Sequence, residues 1–388
     1  MPFIAAGSRV AGRIRIDTEV SMARSKFRRA PRFENLETRE LLSTVPSSQA
    51  PSNEAQYMLQ VLNMVRTNPQ AAVQYIQSNI TPDVALTLNH YGVDLNATLN
   101  AIASSKAQPP LAWSPQLAQS AQSHSQDMAN NGFQSHNGSD GSNPLQRMQA
   151  AGYTDPSSDG ENVYAYAESV DQAMEAFLLD WGVSDAGHRD NILQPNASSQ
   201  DAYRDVGIGL VKSNGPNGVG PYVITQDFGA QPGEKAQVVG VAFNDAQGTG
   251  TFAMGEGVGG ITITAVNLAT GQISSTQTWA SGGYELALDP GQYRLIASQN
   301  NQVISSQTVV INNTNIEQDF NLASTWQGGS LSDAISAAQP RAAQPMITVV
   351  PVAPPVQAPQ PVAPSVSAPV PSPISWNWTS WTAKKVEG

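Results

Sequence analysis

Two short loops each place a histidine among small and polar residues: "GFQSHNGSDG" holds His136 and "DAGHRDN" holds His188. Between them "DGENVYAY" sets a carboxylate, Glu161, directly after a glycine. Two imidazoles and a carboxylate that converge can bind a divalent cation of the Zn²⁺ type and leave one position open to water. Without a metal, the same groups can exchange protons near neutral pH. Spacing alone leaves both chemistries open. The other two histidines read more plainly. His90 lies in the turn "LNHYG", and His124 lies on an apolar helical stripe, where a buried, hydrogen-bonded ring is expected. A nucleophilic pair, Ser184 with His188, is the sharpest enzymatic alternative. Gly187 breaks the helix that would align the two, and no G-x-S-x-G elbow is present.

The segments around these residues must position them. In "EAQYMLQVLNMVRTNPQAAVQYIQ", Met58, Val61, Leu62 and Val65 share a helical face, and Asn68 with Pro69 restarts the helix. "SPQLAQSAQSHSQDMANNG" puts Leu117, Ala121, His124 and Met128 on one stripe ended by Gly132. "SVDQAMEAFLLDW" opens with Ser169 and Gln172 in a capping-box arrangement and turns Val170, Met174, Phe177, Leu178 and Trp181 inward. Residues 80–106 read as loosely helical. "DVGIGLV" and "PYVITQDFG" are strand-like. Helices gathered round a few late strands give an α+β sandwich over residues 54–230.

Residues 237–323 change period. Short alternating runs broken by Gly, Pro and Asn, such as "GGITITAVNL" and "GQYRLIASQ", have the spacing of a β-sandwich. Asp245 to Glu256 spans twelve positions with Gly250 at the sixth, which is the frame of a calcium loop. Gln247, Thr249 and Ala253 stand where ligands belong, so the loop is a weak Ca²⁺ candidate and reads better as a relic turn. Residues 324–388 are rich in Pro, Ala, Val and Gln, as expected of a disordered, polyproline-like tail ending in Trp376, Trp378 and Trp381.

Charge narrows the partners. Residues 1–42 carry nine Lys or Arg and five Asp or Glu, leaving 11 basic against 26 acidic residues in the rest. So acidic a body lacks the basic footprint that phosphate binding needs, and nucleic acid is not an expected partner. With no cysteine, disulfides, thiolate zinc sites and Cys nucleophiles are all excluded. No apolar run reaches the ~18–20 residues that span a bilayer, so no transmembrane segment is expected. Residues 1–50 read as a basic, disordered segment. Leu36, Glu37, Arg39, Leu41, Leu42 and Ser43 in it resemble an Arg-rich signature at the start of exported bacterial proteins.

The ordered run "PPLAWSPQLAQSAQSHSQDM…GENVYAY…AMEAFLLDWGVSDAGHRDNIL…DVGIGLV…YVITQDFG" resembles the CAP superfamily, that is, the cysteine-rich secretory, antigen 5 and pathogenesis-related proteins and their bacterial SCP-like relatives. The resemblance implies an α-β-α sandwich with a central antiparallel sheet and an open cleft carrying two His and two acids. It assigns His136, Glu161 and His188 to three of the four places. The fourth, three residues after Trp181, is Ser184, so the tetrad is incomplete. Arg189 and Asn191 are expected to fasten the His188 loop to backbone carbonyls. The second domain resembles the prealbumin-like repeats of bacterial surface proteins through Phe243, Asp245, Gly250, Gly255, Glu256, Gly259, Gly260, Pro290, Gly291 and Tyr293.

The expectation drawn from all this is a secreted or cell-surface bacterial protein. Its cleft would bind a divalent cation of the Zn²⁺ type and a lipid, peptide or glycan. The alternatives are a metal-assisted, peptidase-like hydrolase with Glu161 as general base, and a structural or adhesive surface protein with an idle cleft.

Overall fold

A computed structural model describes residues 49–183, 185–199, 201–323 and 328–340. Ser184, the basic segment before residue 49 and the Pro-rich stretch after 340 with its three tryptophans lie outside the described residues.

The first domain begins with four helices, α1 (Asn53–Thr67), α2 (Pro69–Asn79), α3 (Pro82–Tyr91) and α4 (Leu95–Ala103). The chain then forms β1 (Ala112–Trp113), α5 (Pro115–Asn131), α6 (Pro144–Ala150), β2 (Ser158–Ala167), α7 (Val170–Leu179), α8 (Gly187–Leu193), β3 (Asp205–Lys212) and β4 (Tyr222–Ala230). One device starts four of these eight helices. Asn68, Thr81, Ser114 and Asn143 each accept a backbone N–H from the first turn, and each is followed by a proline whose missing N–H would have had no partner there. Ser169 caps α7 as the sequence suggests, but the Gln172 side chain takes the Glu168 amide rather than completing the box on Ser169.

The sheet runs β1-β3-β4-β2, with β1 parallel to β3 and the other pairs antiparallel. Helices cover both faces, the α-β-α sandwich that the resemblance implies. On one face α1, α2 and α7 form the main core through Met58, Leu62, Val65, Ile76, Phe177 and Leu178, packed on Val206, Ile208, Ile224 and Phe228. On the other lies α5, whose stripe of Leu117, Ala121, His124 and Met128 is buried as its period requires. Each fully buried Leu or Met contributes about 1.5–3 kcal/mol. The glycines of "DVGIGLV" explain how closely α5 sits: a Cβ at Gly207 would stand 1.9 Å from the Ala118 nitrogen, and one at Gly209 2.2 Å from the Ala121 carbonyl carbon. Side chains at those two positions would lift the helix off the sheet.

The second domain is a β-sandwich. One sheet contains β5 (Gln237–Phe243), flanked by antiparallel β8 (Gly283–Ala287) and by short parallel β11 (Ile316–Glu317) and β12 (Phe320–Asn321). The other has the order β10 (Gln302–Ile311), β9 (Gly291–Gln299), β6 (Thr262–Asn267), β7 (Ile273–Gln277). Val238, Ile263, Ala265, Tyr284, Leu286, Leu295 and Phe320 fill the space between them. Asn315 joins the two domains: its Nδ2 donates to the carbonyls of Pro110 (3.1 Å) and Arg204 (2.8 Å), while its Oδ1 accepts the Gln237 amide (3.0 Å).

The composition of the C-terminal stretch hides one element. Within the expected tail, Leu331–Ala338 forms a helix, α9, capped by Ser330. Leu331, Ala334, Ile335 and Ala338 recur at helical spacing and pack against Val266, Ile296 and Val303. The sandwich domain therefore extends past residue 324, because an apolar face of this period has a surface to bury against.

Candidate functional site

Strand β2 carries the site at an edge of the sheet. Its Glu161 lies opposite Asp227 of β4 and points to the side of α5 and α6. After α5 ends at Gly132 in the left-handed conformation (φ 67°), the loop returns to place His136 against this carboxylate, with Nδ1 2.8 Å from Oε1. Arg147 of α6 holds the other oxygen through Nη2 at 2.5 Å, and its Nη1 donates to the carbonyls of His136 (3.0 Å) and Ser142 (2.9 Å). The Glu161 side chain is 1% exposed and that of His136 55% exposed. A buried carboxylate thus anchors an imidazole that faces solvent.

Opposite Glu161, Asp227 is fully buried, with the Ser120 and Glu161 side chains beside its carboxyl. Burial first, and then the neighbouring Glu161 charge, push its carboxyl well above the usual range.

His188 is built separately. It sits in the first turn of α8, reached through a turn with three left-handed residues, Asp180 (φ 56°), Gly182 (φ 79°) and Ala186 (φ 58°). Its Nδ1 lies 2.7 Å from Asp180 Oδ1, and Oδ2 of the same carboxylate accepts the Arg189 amide at 2.9 Å. Side-chain exposure is 2% for Asp180 and 18% for His188. Arg189 fastens the turn to the Leu178 carbonyl (3.1 Å) and Asn191 reaches that of Glu161 (3.2 Å), as the sequence suggests for both. Asn162, next to Glu161 on β2, donates to the His188 carbonyl (3.2 Å) and accepts from Asn191 (2.9 Å), tying α8 to the site strand. The fully buried Arg66 holds the far end of α8, donating to the Ile192 carbonyl (2.6 Å).

The structure therefore joins His136 to Glu161 and gives His188 a different carboxylate. The acid that completes the second pair is Asp180, just before Trp181, and not a residue three positions after it; Ser184 lies outside the described residues. Asp180, Arg147 and Asp227 are the site residues that sequence reasoning missed. Adjacency to Trp181 is the one signal that could have marked Asp180.

The donor set does not fit a three-ligand zinc site. Both Glu161 oxygens are occupied, one by His136 and one by a guanidinium, so Glu161 is not open as the third ligand, while a carboxylate on Nδ1 leaves Nε2 of each ring as the nitrogen that could ligate. Among the described residues no group of three or more His, Cys, Asp or Glu stands where it could hold a metal ion. The calcium frame is likewise closed on itself. Asp245 accepts the amides of Thr249 (2.9 Å) and Gly250 (2.9 Å), and Glu256 accepts those of Ala246 (3.0 Å), Gln247 (3.2 Å) and Ala253 (3.0 Å).

A cleft of about 700 Å³ is lined by Leu86, Tyr91, Gln134, Tyr164, Tyr166 and Trp181 among others, and by none of the four residues of the two pairs. Gln134 stands two residues before His136, and Trp181 directly follows Asp180. No helix among the described residues is long and apolar enough to cross a membrane.

Residues 59–228 match the Cysteine-rich secretory protein family (CAP), and residues 247–323 match the Carboxypeptidase regulatory-like domain. Among solved structures, the 1.5 Å crystal structure of an extracellular protein containing a SCP domain from Bacillus anthracis str. Ames is similar, at 25% identity and a TM-score of 0.26. The match covers 39% of this chain and 44% of that one, so this chain spans less than half the length of that protein. No curated protein matches the sequence. The chain thus carries a domain of the CAP family followed by a carboxypeptidase regulatory-like, prealbumin-type β-sandwich.

Proposed function

We propose that this chain is an exported protein whose CAP domain is a ligand-binding module. In this reading His136 and His188 make the polar contacts to the ligand. The observation that carries it is the paired anchoring of the rings: a carboxylate accepts from Nδ1 in each, which fixes the Nδ1–H tautomer and leaves Nε2 as an acceptor. Such rings recognise O–H or N–H donors without a chelated metal. The aromatic cleft lined by Tyr91, Tyr164, Tyr166 and Trp181 is the surface this reading gives to the apolar body of a ligand, which suits a glycan, a peptide or a lipid with a polar head. Export rests on the resemblance at Leu36, Glu37, Arg39, Leu41, Leu42 and Ser43.

A hydrolytic reading has one observation in its favour, since an imidazole backed by a buried carboxylate is the arrangement of a general base. In that case the base is His188 or His136. Glu161 does not fit the role, with both oxygens held and its side chain buried. Among the described residues, neither ring is hydrogen-bonded to a Ser or Thr hydroxyl, and Ser184 lies outside them. The test uses the full chain with panels of peptides, esters, glycans and lipids. The proposal expects binding that weakens in His136→Ala and in His188→Ala, with no turnover. Turnover that disappears in either variant would overturn it in favour of hydrolysis, and failure of every panel member to bind would leave an idle cleft.

A further inference from the structure

Among the described residues five large apolar or aromatic side chains stand exposed, and three of them, Leu86 (67%), Tyr91 (54%) and Tyr166 (43%), line the cleft that also holds Tyr164 and Trp181. Such clustering marks an interaction surface. Among the described residues no Asp, Glu, Lys or Arg lines it, although the chain is acidic. The walls are set before a ligand arrives. Tyr164 and Tyr166 alternate along β2, the edge strand of the sheet. Tyr164 stands between Phe177 and Trp181, with ring centroids 6.4 and 6.5 Å away. A Cβ at Gly182 would stand 3.2 Å from Tyr91 Cε1, so this glycine lets the Tyr91 ring lie against the turn that follows Trp181. Gln134 commits its Oε1 to the Ala165 amide (2.8 Å), which leaves its NH₂ group as a donor.

Rings with polar edges, a few donors and no charge suit a ligand that presents apolar ridges and bare carbonyls. A polyproline helix has both. Its proline rings form the ridges, its carbonyls make no internal hydrogen bonds, and its stiffness lowers the entropy lost on docking. The chain itself carries such a sequence. Residues 342–383 contain no charged residue, and within them "PVAP" occurs twice, at 351–354 and at 361–364. A polyproline helix has three residues per turn and rises about 3.1 Å per residue, so the two prolines of each repeat fall on one edge about 9 Å apart. The charge-free stretch matches the charge-free cleft. A charged segment would give up hydration there with nothing to pair with.

We propose that the aromatic cleft docks a PVAP segment from the proline-rich stretch of a second copy of this chain. The two surfaces differ, so the contact is head-to-tail and can extend from copy to copy. It rests on the reading of this cleft as the surface for the apolar body of a ligand, and it names that ligand as a peptide. It needs neither His136 nor His188.

The experiment is sedimentation velocity on the full chain from about 1 μM to about 1 mM, the range of weak to moderate affinities. The mean mass should rise with concentration, and a synthetic peptide of residues 348–366 should return it to that of the single chain. Leu86→Ser combined with Tyr166→Ser, both at exposed positions, should weaken the association about tenfold or more, as loss of anchor contacts does. Pro351→Ser, Pro354→Ser, Pro361→Ser and Pro364→Ser together should do the same from the other side of the contact. Mixed, the cleft variant and the proline variant should pair one to one, since each keeps the half that the other has lost. His136→Ala should associate like the parent, so loss of ligand binding in that variant and loss of association in the cleft variant report on separate readings. The proposal is overturned if the chain stays monomeric at every concentration, if the cleft variant associates like the parent, or if the mixed variants stay apart.

Discussion

Replacing Asp180 by Asn removes one charge and changes almost nothing else. Asp180 sits in the left-handed region (φ 56°, ψ 39°), which Asn tolerates as well as Asp does, so no backbone strain enters. The carboxylate accepts two hydrogen bonds, from His188 Nδ1 at 2.7 Å and from the Arg189 amide at 2.9 Å. An amide has one acceptor oxygen. With its oxygen on the Arg189 amide, its NH₂ group faces His188 Nδ1, so the ring must shift its proton to Nε2 and accept at Nδ1, and the charge-assisted bond is lost in a pocket where the Asp180 side chain is 2% exposed. A hydrogen bond to a charged group contributes about 1.5–3 kcal/mol. His188 keeps some contact with water, which limits the penalty to the lower part of that range. The expected loss is about 2 kcal/mol, read as a lower urea midpoint at unchanged slope. A loss within about 0.5 kcal/mol, the range of surface substitutions, would refute the role given to this carboxylate.

Arg147→Met should cost about 3 kcal/mol or more, because it strips the guanidinium from a buried carboxylate; a urea double-mutant cycle with Glu161→Gln should show the two losses to be strongly non-additive. Burial raises the Glu285 carboxyl to about 8, so the native state holds a proton that the unfolded chain releases near 4.5. Stability should therefore fall as pH rises between about 4.5 and about 8, and urea midpoints of Glu285→Gln across that window should fall less. Asn315→Ala removes three hydrogen bonds at the junction of the two domains and should cost about 2–3 kcal/mol, with calorimetry resolving two unfolding transitions in place of one. Added Ca²⁺ should leave the melting temperature unchanged, because the Asp245 and Glu256 oxygens already accept amides, while Glu256→Gln should lower stability by about 1–2 kcal/mol.

The parts of the molecule that follow local rules were legible in the sequence. The α5 stripe, the Asn68–Pro69 restart and the alternating runs of the sandwich each reflect a period or a cap, and these survive folding unchanged. Likewise, His136 and Glu161 could be named from their loops, and the structure brings them together. What stayed hidden depends on juxtaposition. Asp227 meets Glu161 only through the β2–β4 register, which no stretch of either strand encodes by itself. Asp180 reaches His188 through a turn of three left-handed residues, two of which are not glycine, so residue type gave no warning of the reversal. Arg147 looked like any exposed residue of a short helix until the preceding loop folded back on it. Helix α9 was masked by the Pro-rich stretch that follows it, although its apolar spacing was in plain view.

The central claim is that two carboxylates fix both rings in the same tautomer and keep Nε2 free for a ligand. Long-range ¹H–¹⁵N NMR of the imidazoles in the full chain tests it most directly. The expected spectrum shows His136 and His188 both protonated at Nδ1, with Nε2 as a bare acceptor in the neutral ring. A neutral ring protonated at Nε2 in either residue would contradict the account.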